Sequence, residues 1–83
     1  MTEPPLVFEL GFIEGYRAPA ADDPEGARRV LAAVKGLVKD PSPAASRHWG
    51  DSLIYRLHVG DYRVMYEVDD VVRVWSIGRL PTR

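Results

Sequence analysis

The stretch Leu53-Ile-Tyr-Arg-Leu-His-Val-Gly-Asp-Tyr-Arg-Val-Met-Tyr-Glu-Val68 decides the fold. Two runs of alternating apolar and polar residues flank Gly60-Asp61, a pair suited to a two-residue hairpin turn. A turn of that length sets the register, so faces follow by counting. Val59 is predicted opposite Tyr62, Leu57 opposite Val64 and Tyr55 opposite Tyr66, all on one apolar face. The other face pairs His58 with Arg63 and Arg56 with Met65. Two guanidiniums and an imidazole on one side of a sheet suit an anion or a phosphodiester better than a core.

Working outward toward the C-terminus, Val71–Ile77 reads as a third strand, joined to the second by Asp69-Asp70 as a further tight turn. That register sets Val68 against Val71, Val64 against Trp75 and Tyr62 against Ile77, and Arg63 against Ser76 on the polar face. It also leaves Arg73 on the apolar side, a mild inconsistency that either snorkelling at a sheet edge or a one-residue shift of the turn would remove. Toward the N-terminus, Asp23-Pro24-Glu25 is a strong helix start, with Asp as N-cap and Pro in the first turn. The helix is predicted to run to about Lys39, with Ala27, Val30, Leu31, Val34, Leu37 and Val38 on one face. Asp40-Pro41-Ser42-Pro43 stops it, and residues 44–51 read as a loop carrying Arg47, His48 and Trp49. Upstream, residues 6–10 read as a strand and residues 12–17 as a brief helix weakened by Gly15 and Pro19, with a loop over residues 18–23.

The chain of 83 residues is read as a single domain, residues 1–83. Its class is α+β: an N-terminal strand, two helices of which the second is long, then a three-stranded antiparallel meander. The helices cover one sheet face, and the other carries Arg56, His58, Arg63 and Glu67. Cysteine is absent, which removes disulfides and thiolate chemistry and fits a cytoplasmic protein. No run has the length of a membrane span, and Glu3, Pro4 and Pro5 stand where a signal peptide would be basic. No metal-ligand constellation, phosphate-cradling Gly loop or serine triad is visible, so no cofactor is expected.

The formal net charge of −1 is low for a nucleic-acid binder, but its distribution is uneven. Residues 1–46 hold five Lys/Arg and seven Asp/Glu, whereas residues 47–83 hold six Arg and five Asp/Glu, with both histidines. Arginine offers a planar fork that matches phosphate oxygens. Each candidate also has a structural reading. Arg63 could pair with Glu67 or Asp61, Arg56 could be ordinary strand surface, and His58 and His48 could be solvated. Tyr62, Tyr66 and Trp75 are placed in the core, and Trp49 is expected to pack under its loop.

The phrase Tyr55-Arg-Leu-His-Val-Gly-Asp-Tyr-Arg-Val-Met-Tyr-Glu-Val68, followed by Ile77-Gly78-Arg79 and preceded by Arg47-His48-Trp49-Gly50, closely resembles the core of the RelE/ParE toxin superfamily. The resemblance is specific over residues 47–79 and architectural over residues 6–46. It implies a RelE-like fold and a toxin of a type II toxin–antitoxin pair, with a cognate antitoxin that is acidic or carries an amphipathic helix. RelE-like members cut messenger RNA on the ribosome without a metal, by attack of the ribose 2′-hydroxyl on the adjacent phosphate. Carried over by position, Arg63 becomes a phosphate contact, Arg56 and His58 further catalytic groups, and Arg79 a catalytic group after the Gly. Arg47 and His48 become substrate-binding residues. Leu80 stands where the family usually carries Arg, and the usual C-terminal Tyr has no counterpart. Two other functions stay open on the residues: DNA gyrase inhibition in the manner of ParE, and antitoxin binding by a catalytically weak toxin fold.

Overall fold

The computed structural model describes residues 3–80. Its elements are β1 (Leu6–Phe8), α1 (Leu10–Asp22), α2 (Pro24–Lys35), a 3-10 turn (Gly36–Val38), β2 (Ser46–His48), β3 (Ile54–Val59), β4 (Tyr62–Val68) and β5 (Val72–Arg79). The strands form one mixed sheet in the order β1-β5-β4-β3-β2, with β1 parallel to β5 and every other pair antiparallel. Two helices on one face of a five-stranded sheet make an α+β protein, as expected, with one strand more than the sequence predicts.

The β3–β4 hairpin has the predicted register at every pair, from Val59 against Tyr62 to Tyr55 against Tyr66. Gly60 supports it by taking φ +58°, a left-handed conformation that costs a glycine little. Alternation then drives Leu57, Tyr62, Val64 and Tyr66 into the core. Val30, Val34 and Leu37 meet them from the helix side, joined by Phe12, Val72 and Val74. Of the face read from spacing, Ala27, Val30, Val34 and Leu37 are buried, whereas Leu31 and Val38 are half-buried and outside this cluster. Asp23 caps this helix by accepting from the Gly26 N–H at 3.1 Å. The α-helix ends at Lys35, and the 3-10 turn carries Leu37 onward into the core.

Three predicted segments need correction. The helix expected over residues 12–17 runs from Leu10 to Asp22, so residues 18–22, read as loop, are helical through Pro19. Packing overrides propensity here. A Cβ on Gly11 would lie 2.9 Å from the Trp75 carbonyl oxygen, and one on Gly15 would lie 3.1 Å from Ile77 Cγ2. The glycines that weaken the helix in isolation let it lie directly on β5, and that contact outweighs the cost of about 1 kcal/mol for each. The loop over residues 44–51 contains β2, a three-residue edge strand that pairs Arg47 with Arg56.

The third correction concerns β5. Val68 pairs with Val72, not Val71, so the turn holds three residues. A bulge follows: Met65 pairs with Ser76 and Tyr66 with Val74, leaving Trp75 as the extra residue. Val72 and Val74 point inward, Arg63 faces Gly78, and Val64 faces Ile77. Arg73 now sits opposite Glu67 and is bonded to Glu9 at 2.7 Å, which resolves the misfit in the predicted register. Trp75, predicted in the core, stands on the open face with 41% of its surface exposed.

Candidate nucleic-acid interface

The side chains that alternate away from the helices meet on the open face. His58 lies opposite Arg63, and Arg56 lies opposite Met65 on one side and Arg47 on the other. Edge strand β2 therefore adds a third guanidinium to the two read from the hairpin. None of the three forms an ion pair among the described residues; Glu25, Glu9 and Asp23 instead engage Arg29, Arg73 and Arg79. The pairing of Arg63 with Glu67 or Asp61 weighed from sequence is not formed. Glu67 instead accepts from Trp75 Nε1 at 3.0 Å. The Nε atoms of Arg56 and Arg63 are both buried without a hydrogen-bond partner. Leaving such donors unsatisfied costs about 1–3 kcal/mol each.

Next to the arginines is an apolar groove of about 430 Å³, lined by Trp49, Ser52, Ile54, Met65, Trp75 and Ser76. Trp49, expected to pack under its loop, is 54% exposed. The Arg56 guanidinium sits over its ring, 4.9 Å from the centroid, in a cation–π contact. The sequence register places Trp75 inward and so hides the groove, which the bulge at Trp75 opens. The one signal of the shift is Arg73, whose place on an apolar face is also compatible with snorkelling at a sheet edge.

A scan against protein families matches residues 13–80 to the model described as the ParE toxin of the type II toxin–antitoxin system parDE. The chain belongs to this toxin family. Curated proteins gave no sequence match. Among solved structures, the archaeal RelE–RelB complex from Pyrococcus horikoshii OT3 matches with a TM-score of 0.74 at 22% identity, over 99% of this chain and 100% of that one. The YoeB dimer from Staphylococcus aureus matches at 0.72 and 15% identity, over 99% and 100%. A chain of the E. coli DinJ–YafQ toxin–antitoxin complex matches at 0.75 and 15%, over 94% and 93%. At these identities the likeness establishes the fold, which is that of the RelE, YoeB and YafQ toxins.

The sheet divides the six residues singled out from sequence. Arg47, Arg56, His58 and Arg63 share the open face, while His48 and Arg79 lie on the helix side. His48 stacks on Tyr55 at 4.5 Å and contacts the Ser52 carbonyl through Nε2. Arg79 sits 5.3 Å above the Tyr62 ring and 3.7 Å from Asp23 Oδ2. In this structure Arg79 therefore ties the end of β5 to the start of α2. Among the described residues no group of three or more His, Cys, Asp or Glu converges as a metal site would require. No described helix is long and apolar enough to cross a membrane.

The Asp23 junction has a pH signature. The Gly26 N–H, the Tyr62 hydroxyl at 3.0 Å and the Arg79 charge hold its carboxyl below the ordinary value of 3.8, in that order of size, with burial opposing them. Because the folded pKa is depressed, the stabilisation is present above the ordinary value and lost as pH falls through the folded one. Asp23→Asn keeps a capping oxygen but removes the titration. Thermal melts of the variant should vary less between about pH 5 and pH 2 than those of the wild type; parallel curves would exclude Asp23 as a source of acid sensitivity.

Proposed function

We propose that this toxin is a ribosome-dependent endoribonuclease that cuts messenger RNA and is held inactive by a cognate antitoxin. The observation that carries the reading is the set of arginines 47, 56 and 63, without acidic partners among the described residues, on one sheet face with His58. In the proposed step the ribose 2′-oxygen attacks phosphorus and the P–O5′ bond breaks, giving a 2′,3′-cyclic phosphate and a free 5′-hydroxyl. The 2′-hydroxyl proton leaves to a base, and the departing 5′-oxygen takes one from an acid. Arg63 and Arg56 hold the non-bridging oxygens, where negative charge grows. His58 is the imidazole on this face and is assigned a proton-transfer role.

The antitoxin is proposed to be acidic or to carry an amphipathic helix, covering the helices, a sheet edge or the arginine face. The DinJ–YafQ structure is a toxin–antitoxin complex and the RelE–RelB structure a complex of two proteins, which supports a protein partner here. Mapping the 3′ ends of cellular RNA after induction tests the nuclease reading. Cuts within translated codons are expected. DNA breaks with intact RNA would replace it with gyrase inhibition, and neither kind of break would reduce the chain to a binding protein.

A further inference from the structure

We infer that Trp49 and Trp75 form a clamp for one unpaired nucleobase of single-stranded RNA, placing its phosphate on Arg56 and Arg63. The inference rests on the reading of the arginine face as an RNA site and adds where the base goes. The groove between the indoles has Ile54 and Met65 in its lining, with Ser52 and Ser76 as hydroxyl neighbours. Its volume of about 430 Å³ has room for a planar heterocycle. The Trp75 ring donates its Nε1 hydrogen to Glu67 at 3.0 Å, which favours this orientation. Arg56 connects the two halves of the site, because its guanidinium lies over Trp49 while its position in the sheet is next to Arg47 and Met65. An apolar slot for a flat ring beside unpaired cations for an anion is the chemistry of a nucleotide. Stacking on an indole also tolerates any base, since every base has a π-face.

Both tryptophans of the chain line this groove, so the whole intrinsic indole fluorescence reports on it. The test titrates the full chain with a short single-stranded RNA carrying 2′-O-methyl sugars, which cannot cyclise. Saturable quenching is expected. Trp49→Ala and Trp75→Ala should each weaken binding by roughly 5- to 150-fold, with the remaining indole as reporter. An abasic oligomer of equal length and charge should lose a similar factor. Both variants remove exposed side chains, and melts establish that they are folded.

Equal binding of the abasic oligomer, or unchanged affinity in both folded variants, would overturn the clamp. So would antitoxin binding that quenches both indoles while the RNA does not compete, since the groove would then belong to the protein partner. The clamp and the nuclease reading fail separately. Base-dependent binding without cellular cleavage keeps the clamp and rejects the nuclease. Cleavage that persists with unchanged cut sites in the tryptophan variants does the reverse.

Discussion

Arg63→Ala is expected to abolish most growth inhibition while the protein stays folded. In the proposed cleavage, charge builds on the non-bridging oxygens as the 2′-oxygen bonds to phosphorus. A guanidinium aimed at them is therefore worth more in the transition state than in the ground state. Removing one such donor costs about 10²–10³ in rate, or about 2.7–4 kcal/mol. The folded state has little to lose. Arg63 is half-buried, makes no ion pair among the described residues and keeps an unsatisfied buried Nε, so truncation removes an unfavourable donor along with some packing. Arg63→Lys should restore part of the activity, because the charge returns without the planar pair of donors. His58→Gln should slow cleavage and change its pH dependence if the imidazole transfers a proton. Growth assays with RNA end mapping, run beside thermal melts, read all three. Full toxicity in folded Arg63→Ala protein would move the chemistry away from this face.

The part of this site that was legible in the sequence follows from a short, well-determined hairpin. Alternation on both sides of Gly60-Asp61, broken at Ile54 and Met65, leaves one register that buries Leu57, Tyr62, Val64 and Tyr66 together, and that register puts Arg56, His58 and Arg63 on the opposite face. The rest depends on contacts that distant segments make. Ser46-Arg47-His48 has no alternation to mark it as a strand; it becomes one because the free edge of β3 is beside it. Residues 10–22 carry the breakers Gly11, Gly15 and Pro19 and are helical because Gly11 and Gly15 fit against β5. The bulge at Trp75 shifts half of β5 by one residue, and a period of two turns that shift into a change of face. That single shift separates a protein with a bare arginine patch from one with an indole groove beside it. The same register, continued past the bulge, sets Arg79 against Tyr62 and so on the helix side, although motif position had grouped it with Arg63.

Leu57→Ala should have the largest effect on stability. Leu57 is 2% exposed and packs in the core, while its neighbours Arg56 and His58 point to the open face. Truncating a buried leucine costs about 2–5 kcal/mol through lost transfer energy and the cavity left behind. A domain of this length is held by only about 4–12 kcal/mol in total, so the loss would raise the unfolded, protease-sensitive population by roughly 30- to 5,000-fold. Its denaturant midpoint should fall with the slope unchanged, because the surface exposed on unfolding is nearly the same. Toxicity should fall too, which makes the variant a control for Arg63→Ala: one loses activity through the population of folded protein, the other at constant population. An antitoxin that binds only the folded toxin adds stability by mass action, about 2.7 kcal/mol at a free concentration of 100 times Kd. Co-expressed antitoxin should therefore restore the steady-state level of Leu57→Ala and leave that of Arg63→Ala unchanged. A Leu57→Ala protein that melts with the wild type would mean that the α2–sheet interface is not where this small fold keeps its stability.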